Sequence, residues 1–420
     1  MELASEDHSN IPARSYTARQ WSMIALVSVT LIPLVMVRFL GVGGGSAAII
    51  AIVMGLAIVA ASFVLSWGVE ALEGVMPQGV ALAILALIEV APEYTFEAIL
   101  AYRQQIELAA ASMTGANRLL LGFGWPLILF TAALAARARG QRYTAIELAR
   151  EQGVPILFLL IASVYAFVIV LKGTLSLIDS GVLIAIYGAY IWVMLRQHEP
   201  ELEEGREEAE EAVGIAATTK GMPPARKWTA IGSFFAFGAF ILYAGAEPFL
   251  DAVLEVAHGL GIGQFALIQW LAPFLSEFPE SLTAYIWAAT VIAAAMGLGT
   301  LISSKLNQWT LLIATIPIAY SLGAGHLQAL PLGTVARDEI FLTAAQSLFG
   351  TVLLLTLRFD LWKAFALLGL FLIQFFLPFE RVHVTLAWTY LVLTLIYLLI
   401  YRRQVWAILL ASWSAIAMGR

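Results

Sequence analysis

The sequence predicts an all-α polytopic membrane protein. It consists of two inverted five-helix repeats plus one extra helix at each end, about twelve transmembrane helices in all. Three observations predict this. Of the 420 residues, 61% are hydrophobic and only 12% are charged, where a soluble domain carries roughly 25% charged residues. The apolar residues fall in runs of about 20, the length a helix needs to cross the hydrocarbon core. Short motifs also recur at one fixed shift between the halves of the chain.

In order, the first runs are Trp21–Leu40, Ser46–Trp67, Gln78–Tyr102, Arg118–Leu134, Val154–Leu171 and Val182–Leu195. After a polar gap come Thr229–Leu250, Phe265–Trp287, Val291–Ser321, Ile340–Leu357, Leu361–Leu377 and Leu386–Tyr401. The residues before the first run are polar, and the run itself lacks a small-residue cleavage site. It therefore reads as a membrane helix rather than a removed signal. The gap, Gln197–Lys227, holds eight glutamates between Glu199 and Glu211 and reads as a solvated linker. That stretch dominates the net charge of −6. There is no cysteine, which excludes disulfides, thiol catalysis and cysteine metal sites.

Pro92-Glu93 recurs as Pro279-Glu280, 187 positions later. The same shift carries Arg118 onto Lys305, and Arg150-Glu151 onto Arg337-Asp338. Several matches at one shift define repeats of five helices. The expected layout is 1–45 for the N-terminus and extra helix, 46–196 for the first repeat and 197–227 for the linker. The second repeat follows at 228–378, and the last helix and tail at 379–420. Five is odd, so the second repeat enters the membrane from the opposite side. Arg14, Arg19, Arg137, Arg139, Arg142, Arg150, Arg226, Lys227, Arg358, Arg402 and Arg403 then fall in inside loops. Only Arg103, Lys172, Arg337 and Arg381 fall outside. This bias puts both termini on the cytoplasmic side of a cell membrane.

The chemistry sits inside the apolar runs. Glu89, Glu93 and Glu97 are spaced i, i+4, i+8, which stacks three carboxylates on one helix face. Each ionised carboxylate at the bilayer centre costs roughly 2.5–3.5 kcal/mol on the lenient insertion scale. Protonation, a basic partner or a bound cation must offset that cost. The second half repeats the idea with Glu277 and Glu280. Pro92 and Pro279 stand beside the glutamates, and an interior proline frees helix carbonyls. Carbonyls beside carboxylates are hard oxygen ligands that suit Na⁺ or Ca²⁺. The following helices carry Ser112, Thr114, Gly115 and Asn117, then Thr300, Ser303, Ser304, Asn307 and Gln308. Asn117, Ser303 and Ser304 are candidate ligands, although the small residues equally suit close helix packing. Arg118 and Lys305 either neutralise a glutamate or snorkel to an interface. Five glutamates against these two bases leave negative charge, which suits cations or protons and not an anionic cargo.

At these residues the chain resembles the calcium/cation antiporter superfamily, in its sodium/calcium exchanger branch. That family carries a motif close to G-T-S-x-P-E-L on one helix of each repeat and G-S-N on the next. Here Ile88 to Tyr94 and Leu275 to Ser281 stand at the first motif, with Gly115-Ala116-Asn117 at G-S-N. The resemblance spans about 46–378. It implies exchange of Ca²⁺, Na⁺ or H⁺ by alternating access, with Glu93 and Glu280 as central metal ligands and no cofactor. The Gly-Thr-Ser positions are here mostly glutamate or apolar, and the second G-S-N is absent. Extra carboxylates with basic partners fit proton coupling at least as well as sodium coupling.

Other readings stay open. One is Na⁺/H⁺ or other monovalent cation exchange. Another is a non-transporting membrane subunit whose buried ion pairs serve assembly. An enzyme is not expected, since no Ser/His/Asp or HExxH signature occurs and His8, His198, His258, His326 and His383 are scattered. The acidic residues Glu247, Asp251 and Glu255 are expected to face external water. The expected partners are inorganic cations and the lipid bilayer, with no nucleic acid.

Overall fold

A computed structural model of the chain describes residues 18–40, 46–73, 88, 90–196, 219, 222–261 and 263–418. The acidic run of the linker and Glu89 lie outside these residues. The fold is helical. Helix α1 (Ala18–Phe39) and helix α2 (Ala47–Glu73) come first, followed by α3 (Ala91–Tyr102). Helix α4 (Ile106–Leu119) runs through a π-helical turn, Leu120–Gly124, into α5 (Trp125–Ala138). Strand β1 (Ala145–Glu147), α6 (Gly153–Lys172), β2 (Thr174–Leu175) and α7 (Leu177–Met194) close the first half.

The second half brings the same order of elements. Helices α8 (Pro224–Leu260) and α9 (Gln264–Thr290) lead to α10 (Ala294–Asn307). A π-helical turn, Gln308–Leu312, again passes into the next helix, α11 (Ile313–Ala324). Then come β3 (Leu330–Pro331), α12 (Thr334–Leu354), β4 (Arg358–Asp360) and α13 (Leu361–Phe376). Helix α14 (Glu380–Met418) ends the chain.

The strands exchange between halves. β1 pairs antiparallel with β4, Ile146 opposite Phe359, and β2 pairs with β3, Leu175 opposite Leu330. Each ribbon joins one half to the other and satisfies backbone groups where a helix has ended. The indoles of Trp125 and Trp309, one from each half, are fully buried in one continuous core. Large apolar side chains on α1, α6, α7, α13 and α14 point outward, a surface suited to hydrocarbon and not to water.

Among the described residues, six helical stretches are long and apolar enough to cross a membrane. Two helices run well past the apolar runs that announce them. Helix α8 spans 37 residues and α14 spans 39, because a helix continues wherever its polar residues find partners or water. At the far end of α8, Glu247 and Asp251 remain half-exposed and each sits 2.5 Å from the Arg103 guanidinium. The hydrogen bond to Asp251, with that to Glu247, raises the Arg103 guanidinium above its ordinary range.

Glycine sets two close crossings between the halves. A Cβ on Gly115 in α4 would lie 1.8 Å from the Gln269 carbonyl oxygen in α9. One on Gly323 in α11 would lie 2.0 Å from the Tyr102 carbonyl oxygen in α3. Gly115, beside the candidate ligand Asn117, is therefore a packing residue.

Candidate cation site

Helix α3 begins at Ala91, after Val90 as its N-cap, with Pro92 in its first turn. Among the described residues Pro92 is thus not an interior kink. Proline lacks the amide hydrogen that a first turn leaves unbonded, so it sits there without loss. Glu93 lies in that same turn, where the helix dipole favours a carboxylate. Glu97 follows one turn later on the same face. Their exposures are 3% and 0%. Both Glu97 carboxyl oxygens, and Oε2 of Glu93, have no hydrogen-bond partner among the described residues. The buried Ser276 hydroxyl on α9 donates to the Ala272 and Pro273 carbonyls of its own helix.

The other half closes over this face. Tyr94 donates its hydroxyl to Asn307 Oδ1 at 2.6 Å. Glu277, buried on α9, accepts from Gln308 Nε2 at 3.0 Å. Gln308 opens the π-helical turn after α10, a turn type that often marks functional positions. Ser304 is buried beside it on α10, while Ser303 is half-buried, 3.5 Å from the Tyr190 hydroxyl. The backbones of Pro279 and Glu280 belong to α9, one turn beyond Glu277. Their side chains, like Glu89, lie outside the described residues.

Neither Arg118 nor Lys305 snorkels, and both are fully buried. Arg118 does not neutralise a glutamate of the two motifs. Its Nη2 sits 2.5 Å from Oε2 of Glu339 on α12, and its guanidinium stacks over Trp270. Glu339 also receives the Gln269 amide at 2.9 Å and contacts Nδ1 of His383, on α14, at 2.7 Å. Arg118 must therefore be set against Glu339 and not counted against the central glutamates. Lys305 donates to both oxygens of Asn117, the backbone carbonyl at 3.0 Å and Oδ1 at 2.6 Å. Asn117 spends its own amide hydrogen on the Met113 carbonyl. This candidate ligand therefore holds the lysine.

Glu339, His383 and Gln269 escape sequence reasoning. Glu339 follows Arg337-Asp338 and His383 follows Glu380-Arg381, so both read as loop charges. Gln308 and Asn307 stand out only as polar residues in an apolar helix, which was the available signal.

The family model described as sodium/calcium exchanger protein matches residues 46–196 and 231–380. The crystal structure of a protein described as H⁺/Ca²⁺ exchanger CAX superposes with a TM-score of 0.88 at 33% identity, covering 97% of this chain and 100% of that one. The sodium-calcium exchanger NCX_Mj, in a structure obtained with Na⁺ and Sr²⁺, matches at 20% identity and a TM-score of 0.52 over 77% of this chain and 96% of that one. That second likeness concerns the fold. No curated protein sequence matches the chain significantly.

Proposed function

The chain belongs to the sodium/calcium exchanger family and is a cation antiporter, and from that premise we propose that it exchanges calcium for protons at a carboxylate centre supplied by both halves. The observation that carries this reading is the pair Glu93 and Glu97. Three of their four carboxyl oxygens are buried without a donor among the described residues. A buried carboxylate left without a partner costs several kcal/mol. A proton on each carboxyl, or one cation shared between them, removes that cost, and the two solutions exclude each other. Competition for the same oxygens couples the two flows. A site holding neither ligand stays charged and crosses a closed state only at high cost, which enforces exchange over leak.

Calcium as cargo suits hard carboxylate oxygens. The 33% identity to a protein described as an H⁺/Ca²⁺ exchanger supports the choice of proton as the counter-ion. We read the repeated element order as two inverted five-helix repeats, 46–196 and 228–378, with one extra helix at each end, about twelve spans in all and both termini cytoplasmic. The reciprocal strand exchange and the two stretches matched by the family model support this arrangement. On this reading Glu93 is the ligand from the first half and Glu280 its proposed counterpart from the second, with Glu89, Glu97, Glu277 and Ser304 as the further proposed ligands.

The test is uptake of radioactive Ca²⁺ into liposomes holding the purified protein, first under an imposed pH gradient and then under an imposed Na⁺ gradient. The pH gradient should drive uptake. Glu93→Gln and Glu280→Gln should abolish it without lowering insertion. Calcium that moves under neither gradient would sink the reading.

A further inference from the structure

We propose that the Lys305 ammonium is a built-in cation that stands in for a monovalent coupling ion and thereby keeps sodium out of the exchange. The proposal rests on the calcium/proton reading and names what sets its ion selectivity. Lys305 ends its buried reach on two neutral oxygens of a single residue, the Asn117 carbonyl and side-chain amide, across the boundary between the halves. A carbonyl and an amide oxygen side by side are hard donors of the kind that coordinate small cations. Here an ammonium, a compact point charge with three donors, already occupies them. The face of Trp309 covers it at 4.7 Å, a further contact that favours a cation.

The other buried basic residues do not compete for this role. Arg118 is discharged by Glu339 at 2.5 Å. Lys363, in the first turn of α13, is held by the Leu353 carbonyl and the Thr356 hydroxyl with Asp360 at 3.4 Å. Among the described residues no carboxylate forms an ion pair with Lys305, and three positions along the chain Gln308 donates to the buried Glu277 at 3.0 Å. The positive charge of Lys305 therefore sits between a candidate ligand, Asn117, and the residue that holds a buried glutamate. A tethered ammonium cannot be released to either side of the membrane. It contributes its charge in every state of the cycle, and a sodium ion at the Asn117 oxygens would meet both a filled position and a like charge.

The experiment measures Ca²⁺ uptake into liposomes under separate pH and Na⁺ gradients for the unsubstituted protein, Lys305→Gln and Lys305→Arg. The unsubstituted protein should respond to the pH gradient alone, with sodium neither driving nor inhibiting. Lys305→Gln removes the charge and should bring in a sodium response, raising uptake under the Na⁺ gradient by about tenfold. Lys305→Arg keeps the charge and should keep sodium excluded. A well-inserted Lys305→Gln protein indifferent to sodium would reduce the lysine to a structural clamp and overturn the proposal. Should Lys305→Gln not insert, the unsubstituted protein decides: calcium uptake driven or inhibited by sodium overturns it. Failure of the exchange reading looks different, because calcium then moves under neither gradient, and this proposal falls with it.

Discussion

Arg118 and Lys305 occupy matching places in the two halves, each at the end of a helix that runs into a π-helical turn. Both are fully buried, yet they meet opposite fates. Arg118 turns outward from the carboxylate centre to Glu339, and through it joins Gln269 on α9 and His383 on α14. Lys305 turns inward to Asn117. The planar guanidinium stacks and forks, and so suits a carboxylate beside an aromatic ring. The ammonium is compact enough to sit on two oxygens of one residue. One equivalent slot thus carries a structural tie and the other a charge held on the candidate ligand Asn117. The repeat shows where a buried base will lie, and its neighbours from other helices decide what it does.

The largest effect expected in this comparison falls on the buried carboxylates of α3. Glu97→Gln should lower calcium flux by about a hundredfold or more with normal insertion, read as initial uptake in liposomes. Flux near the unsubstituted level would show that the second carboxylate is only helix glue. The tie on the Arg118 side should matter to stability first. Glu339→Gln leaves a buried guanidinium without its anion and should cost about 3–5 kcal/mol, seen as a lower melting temperature in detergent. Adding Arg118→Met to that variant should restore most of the loss. If the double variant is as unstable as the single one, the pair is not the source of the defect. Gly115→Ala, which drives a methyl group into the Gln269 carbonyl, should cost about 1–3 kcal/mol by parting α4 from α9. The same melting assay checks it, and an unchanged melting temperature would mean the two backbones are less closely crossed. The smallest effect belongs to Arg103, whose partners are half-exposed. Arg103→Ala should cost no more than about 1 kcal/mol, and less in high salt, so a large loss would show that this clasp bears on the transport cycle instead.

Much of this molecule is legible along the chain. Apolar run length is a local property measured against bilayer thickness, so the membrane helices and the family motif are visible without any contact. Glu93 and Glu97 stand out because an acid in an apolar run is costly wherever it ends up. The ends of α8 and α14 are less legible, since a helix outlasts its apolar stretch when partners such as Arg103 meet its polar turns. The ribbons β1–β4 and β2–β3 are too short to show a period.

By itself the sequence determined the helical membrane class, the repeated order of its elements and the presence of acids within its apolar runs. Only the tertiary structure decided which base answers which acid. Arg118 and Glu339 are remote in sequence, and they pair because α4, α9, α12 and α14 meet at one point. A buried charge is settled by whatever group lies within a few ångströms of it, and distance along the chain carries no information about that.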